Sequence, residues 1–359
     1  KKIGLTALAG SLVTLGSAQA GEMSVSGGIN TTLKFGKGGG NTARSIGADK
    51  DVAFTGGGEL DNGTTFSMTA TTNDAYGISS STTTITTPSM GSFTFGSGTG
   101  GASGAYDEEV PQVYEQVSDG NDTVSNKVGD FMDNNSVMYT TPTLEMMGAS
   151  ITAHLGYAPQ AGDTTVSDGG QQTYSAAVGS GKEAGITISY DALKVGVYGA
   201  ERERTVPQTA AATGMYEHDE FNGSWYAKYS MGPVSIGYSE FFFDAGVTSA
   251  VTSTTAAKTQ RGTNAGGIYT GDQMSIAFNV NDNMSISYTT SDETYDTQDD
   301  AKTATTADDD VTESIDALQI AYSMGGMSIK AYNMEVTNPD QDDDAADQSV
   351  TEIALGFAF

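Results

Sequence analysis

Residues 349–359 read Ser349-Val-Thr-Glu-Ile-Ala-Leu-Gly-Phe-Ala-Phe359. Thr351, Ile353, Leu355, Phe357 and Phe359 share one face of an extended strand, and Glu352, Ala354, Gly356 and Ala358 share the other, because strand side chains alternate with period two. One face is oily; the other is small or polar. A soluble sandwich can use that alternation. An aromatic last residue is harder to place there, since termini usually fray into water. A strand that seals a barrel, with lipid outside and water inside, accounts for both features.

The same rhythm runs back through the chain. Val25, Ile29, Leu33 and Phe35 alternate with Ser24, Ser26, Asn30, Thr32 and Lys34. Residues 52–60 end at Asp61-Asn62-Gly63, a tight-turn signal, and Phe66, Met68 and Ala70 then fall on one side. Further strands are expected near 78–87, 92–96, 136–141, 149–157, 184–190, 194–202, 221–231, 234–242, 274–280, 284–290, 314–324 and 327–336. Short turns are expected at 88–91, 142–148, 191–193, 232–233, 281–283 and 325–326. With the closing strand this makes about sixteen strands. The other connections, 36–48, 97–135, 158–183, 204–220, 243–263, 291–313 and 337–348, are long, polar and rich in Gly, Ala, Thr or Asp. Short turns on one rim and long loops on the other describe an all-β, antiparallel transmembrane barrel with periplasmic turns and external loops.

Composition agrees with that location. Lys1-Lys2, an apolar run from Ile3 to Leu15 and Ala18-Gln19-Ala20 have the layout of a secretory signal peptide. Residues 1–20 are therefore expected to be removed, leaving 21–359 as one barrel domain. No segment approaches the ~20 apolar residues of a membrane-spanning helix. The net charge of -29 argues against nucleic acid. Cysteine is absent, which rules out disulfides and thiolate metal sites. The two histidines, His154 and His218, lie far apart in sequence and give poor support to a zinc hydrolase or a histidine-based nucleophile. Gly-rich stretches lack the Lys-Ser/Thr ending of a phosphate loop.

The leader, the hairpin rhythm, Ser92-Phe-Thr-Phe-Gly96 running into a long acidic loop, and the closing Gly356-Phe-Ala-Phe359 resemble the general diffusion porins of Gram-negative outer membranes, the alphaproteobacterial type in particular. The resemblance covers essentially all of 21–359. It implies a sixteen-stranded barrel, usually a homotrimer, whose third long loop folds into the lumen and narrows it.

The loop after Phe95 supplies candidates for that constriction. Gly96, Gly98, Gly100, Gly101 and Gly104 let the backbone bend sharply, and Asp107, Glu108, Glu109, Glu115 and Asp119 make an acidic edge. Val110, Pro111, Val113 and Tyr114 are expected to anchor it to the inner wall. A solvated external loop is the bland alternative, since charge runs usually sit in water. By the family pattern the wall facing the acidic edge is basic. Parity turns Lys34, Lys194, Arg202, Lys228 and Lys330 inward, because a lysine on the lipid face near mid-membrane costs ~2–4 kcal/mol. Generic lumen charges or rim snorkelling would place them there equally well. His154 falls inward too, as a polar lining residue or a switch.

Carboxylates cluster at 292–313 and 340–347. Oxygen-rich sites suit calcium, and weak calcium binding that bridges to lipopolysaccharide is one reading. A solvated loop is the other. Tyr139, Tyr157, Tyr190, Trp225, Tyr229, Tyr238, Tyr288 and Tyr322 fall on apolar faces near turn ends and suit an interfacial aromatic belt.

These features point to a water-filled outer-membrane pore for passive diffusion of small hydrophilic solutes and ions, leaning toward cations, with no catalytic cycle and no cofactor. Three alternatives are compatible with the sequence. One is a substrate-specific channel in which Tyr226, Tyr332 or His154 grips a solute. Another is a secreted calcium-binding adhesin or structural protein. The third, an enzyme embedded in a barrel, lacks a Ser-His or paired-carboxylate constellation that stands out from the other acids.

Overall fold

The computed structural model describes residues 22–38, 44–74, 77–119, 128, 131–132, 135–161, 178–204, 219–244, 268–296, 310–342 and 345–359. The expected signal peptide therefore lies outside the described residues, as do His218 and parts of both carboxylate-rich loops.

Extended runs succeed one another along the chain: β1 (Glu22–Lys37), β2 (Arg44–Glu59), β3 (Thr65–Thr72), β4 (Ile78–Thr87), β5 (Gly91–Ser97), β6 (Ser136–Thr140), β7 (Leu144–Met146), β8 (Ala149–Ala158) and β9 (Val178–Tyr190). They continue as β10 (Leu193–Arg204), β11 (Glu220–Met231), β12 (Val234–Asp244), β13 (Ile268–Asn279), β14 (Met284–Asp296), β15 (Val311–Met324), β16 (Met327–Thr337) and β17 (Gln348–Ala358). Every pairing is antiparallel, and all but two join chain neighbours: β6 passes over the short β7 to pair with β8, and β17 returns to β1, with Leu355 opposite Thr31 and Ile353 opposite Leu33. Gly27 and Phe359 then exchange backbone hydrogen bonds of 3.1 and 3.0 Å at the seam. Closure leaves no sheet edge, which is the condition for strands to cross hydrocarbon.

One sequence expectation is corrected. The segment 142–148 is not a single turn, because β7 pairs with β8 through Leu144, Glu145 and Met146. β6 pairs with the same strand from Val137 to Thr140. The two runs are one barrel strand interrupted at Pro142, which has no N–H to donate to the ladder. The hairpin proper turns at Met147 (φ 53°) and Gly148 (φ 84°). Counted this way the barrel has sixteen strands, with the short β7 as the extra run.

The register assigns each side chain to lipid or lumen. Leu355, Ile329, Tyr322 and Met284 form one outward row across neighbouring strands. Ile353, Ala331, Ile320, Ile286 and Phe278 form another. The outward aromatics include Tyr139, Tyr157, Tyr190, Trp225, Tyr229, Tyr238, Tyr288 and Tyr322. Trp225 Nε1 and the Tyr238 hydroxyl each donate to the Glu240 carboxylate at 2.8 Å. That geometry suits rings with an oily body and a wet tip. No described helix is long and apolar enough to cross a membrane.

The lipid-side assignment is tested by charge insertion. Ile320→Arg, in the middle of the outward apolar stretch of β15, is expected to destabilise the barrel by about 2–4 kcal/mol. Thr94→Lys, which points into the lumen, is expected to cost far less. Urea unfolding of both variants in lipid vesicles measures the difference, and equal losses would refute the assignment.

Candidate functional site

After β5 the chain turns inward through Gly98, Gly100 and Gly101, all at φ 66°, a backbone region where only glycine is unstrained. It then follows the inner wall in strand order. Ala102 N–H donates to Glu183 Oε1 on β9 (2.8 Å). Ser224 Oγ on β11 donates to Tyr106 O (3.4 Å). Ser275 Oγ on β13 donates to Pro111 O (2.7 Å), and Val113 N–H donates to Ser287 Oγ on β14 (3.2 Å). Gln319 on β15 takes Tyr114 N–H at 2.9 Å and gives its amide to Glu115 O at 2.6 Å. Finally the Tyr114 hydroxyl donates to Glu352 on β17 (2.5 Å). All but the last of these anchors join a strand side chain to loop backbone, and the last joins two side chains, so polar groups removed from water keep partners.

Packing reinforces this course. Tyr106 stacks on Tyr198 with ring centroids 5.1 Å apart and lies 6.3 Å from the Tyr226 ring. Tyr114 packs on Tyr332 at 5.6 Å. Tyr106, Val113, Val117, Phe131 and Met132 are buried. The wall makes room by having no side chain where the loop comes closest. A Cβ on Gly237 would come within 2.5 Å of Pro111 Cδ, and Gly185 lies as closely beneath the ring of Tyr106. Gly196 likewise leaves room for the ring of its β11 register partner Tyr226. Glycine inside a strand commonly marks such an approach, and Gly185 and Gly237 are the sequence signals of the loop's course.

The predicted acidic residues have unequal roles. Glu108 is buried and holds the loop to itself: its carboxylate accepts from Val117 N–H (3.1 Å), Ser118 N–H (3.2 Å) and Gln273 Nε2 (2.7 Å). Asp107 Oδ1 accepts from Val128 N–H (3.2 Å). Neither forms a free edge of an opening. Glu109 bridges Lys194, at 3.7 Å, and Lys228. Glu115 is half-buried, and Asp119 is exposed. Burial, followed by the charges of Glu352 and Asp119, raises the Glu115 carboxyl above the ordinary glutamate range, against a lowering pull from Lys330.

All five predicted basic residues face inward, but not as a wall across from the loop. Lys194 and Lys228 lie beneath it on Glu109. Lys330 is buried, 5.1 Å from the Tyr114 ring. Arg202 pairs with buried Glu220 and sits 4.6 Å from the Phe131 ring. Lys34 stands opposite Glu352 in the β1–β17 register. Tyr226 and Tyr332, expected to grip a solute in the dedicated-channel reading, are buried at 0% and 3% exposure, so no solute reaches them. His154 is half-buried and its Nδ1 lies 3.3 Å from Thr140 Oγ1.

The wall left open runs over β1 to β5. Its inward side chains are mostly hydroxyls and acids, with Asn30 and Lys34 of β1 among them; Thr55 and Thr69 are hydrogen-bonded at 3.1 Å and Thr84 and Thr94 likewise at 3.1 Å. Asp49 and Asp51 alternate inward on β2 and are exposed. The lumen is thus half filled by the loop and half lined by wet polar side chains. Among the described residues no group of three or more acids and histidines could hold a metal ion.

Glu108→Ala would leave two backbone N–H groups and an amide without an acceptor, about 1–3 kcal/mol for each buried group. The expected result is a folded barrel whose loop is cut by added protease and whose single-channel current is noisier. Unchanged protection of the loop would count against its anchoring role.

Against known proteins, the family model described as Gram-negative porin matches residues 4–298. No curated protein matches the sequence. Solved structures share the fold at low identity. OmpF of Salmonella typhi, in complex with daunomycin, superposes with a TM-score of 0.66 at 10% identity, covering 94% of this chain and 98% of that one. An anion-selective porin from Comamonas acidovorans gives 0.64 at 13% identity over 94% and 100%. OmpT of Vibrio cholerae in its trimer form gives 0.58 at 14% over 95% and 100%.

Proposed function

Since the chain belongs to the Gram-negative porin family and is an outer-membrane channel for passive diffusion, we propose that its flux leans toward cations. One observation carries this reading. Lys194, Lys228 and Arg202 are engaged by Glu109 and Glu220, while Asp49 and Asp51 stand exposed on the open wall. Carboxylates lining a narrow aqueous path raise the local concentration of cations. The constriction in this reading lies between the infolded loop, with Glu109, Glu115 and Asp119 on it, and the hydroxyl-lined wall of β1–β5. Small hydrophilic solutes pass along that wall without a dedicated site. Processing after residue 20, assembly as a homotrimer and contact of the rim with lipopolysaccharide complete the proposal. Weak calcium binding at the acidic loops belongs to it as well.

Reversal potentials in a planar bilayer under a potassium chloride gradient test the lean. Cation preference is expected, and Asp49→Asn with Asp51→Asn is expected to reduce it several-fold. A wild-type channel that favours chloride would refute it.

Acid should also weaken the preference. A carboxyl raised in the folded state is neutral below its raised value and charged above it, so Glu115 loses its charge at a higher pH than an ordinary glutamate. Folding is penalised as pH rises through that window, because the fold disfavours the ionised form. Cation preference is therefore expected to begin falling in mildly acidic buffer, and Glu115→Gln to remove that part of the pH profile. A profile identical in the variant would rule Glu115 out as its source.

A further inference from the structure

We propose that Glu109 sets the sign of the channel's ion preference by filling, with the loop's own carboxylate, a two-lysine subsite that otherwise takes an anion. The inference rests on the pore reading above and concerns the wall beneath the loop.

Lys194 and Lys228 are direct register partners on β10 and β11, and both point inward. Like charges directly opposite in a sheet repel, so the pair calls for a counter-charge. Both ammonium groups lie 5.4 Å from the centroid of the same buried ring, Tyr226, an arrangement that gathers them at one place. The carboxylate that meets them comes from the loop. Oε2 of Glu109 is the contact for both lysines, at 3.7 Å from Lys194 and closer still to Lys228. A single oxygen between two ammonium groups is what a carboxylate or phosphate solute would also present.

The loop delivers this oxygen from a fixed base. Glu108 is held at φ 43°, and Val110 N–H donates to Glu108 O at 2.7 Å, closing a tight turn around Glu109. The Glu108 side chain accepts two hydrogen bonds from the loop's own backbone and one from Gln273 on β13. On the other side Pro111 abuts Gly237. Two consecutive carboxylates are thereby sent to different partners, one into the loop and one onto the lysines.

This cluster stays wet. The side chains of Lys194, Lys228 and Glu109 are 41%, 27% and 23% exposed, whereas Glu183, Ser275, Ser287 and Gln319, which hold the loop elsewhere, are buried. Passing ions therefore meet its net charge. With Glu109 present that charge is a single positive one, set against the acids of the open wall. Without it two adjacent ammonium groups face the lumen.

The test is a set of three variants of the full channel in planar bilayers, read by reversal potential and by the effect of added inorganic phosphate on chloride current. Glu109→Gln is expected to move the reversal potential to the anion side and to make chloride current sensitive to phosphate. Lys194→Met with Lys228→Met, leaving Glu109 in place, is expected to move it further to the cation side. The triple variant is expected to lie between wild type and the lysine double variant, with no phosphate sensitivity. Glu109→Gln without a shift would overturn the proposal. So would an anionward shift from wild type in the triple variant, because it would then come from loop displacement rather than from the lysines. If Glu109→Gln fails to fold, absence of a cationward shift in the lysine double variant overturns it equally. An anion-selective wild type would refute the cation lean, while the order of the variants still decides the role of Glu109.

Discussion

Everything in this molecule depends on the hydrogen-bonded seam between β1 and β17. In hydrocarbon an unpaired backbone N–H or C=O costs several kcal/mol, with no water to relieve it. The last strand must therefore find the first, and the register from Gly28–Ala358 to Lys37–Ser349 does so without a break. Once the sheet is closed, parity is set all the way round. Leu355 must meet lipid and Ala354 must face inward, and the same alternation propagates through each neighbour.

That constraint is why so much of the fold was legible. A one-residue slip would turn every oily side chain into the lumen, so the period-two pattern around Ile353, Ile320 and Val25 is strongly enforced and easily read. The inward direction of the lysines follows from the same rule. What escaped reading is what the rule does not reach. Pro142 interrupts a strand and looks, in sequence, like the start of a turn. Asp107, Glu108 and Glu109 are three adjacent carboxylates with no local feature to separate them; the left-handed backbone at Glu108 gives each a different partner. Tyr226 and Tyr332 have the right face for touching solute, yet the loop covers them. Contacts between a long loop and distant strands are non-local, and only the glycines at 185 and 237 mark them in the sequence.

The lumen that results is asymmetric. From β9 to β17 its inner surface is buried beneath loop residues and behaves like a protein core with polar fasteners. From β1 to β5 it remains a hydrated surface of Thr, Ser, Asn and Asp, with Lys34 among them. Lys194, Arg202, Lys228 and Lys330 lie on the filled half against loop residues. The low identity to solved barrels, 10–14% for those described above, fits a scaffold that asks only for apolarity outside and small or polar groups inside. The lining itself is free to differ.

The loop's fastenings reach β9, β11, β13, β14, β15 and β17 in turn. A segment bolted at successive points around half a cylinder works as a rib. Flattening the barrel would change the spacing between those points and strain the whole row together. Bore and cross-sectional shape are thus mechanically joined: lateral squeezing by the surrounding bilayer is resisted on the ribbed side and yields first on the unribbed one, which is the side that carries the water.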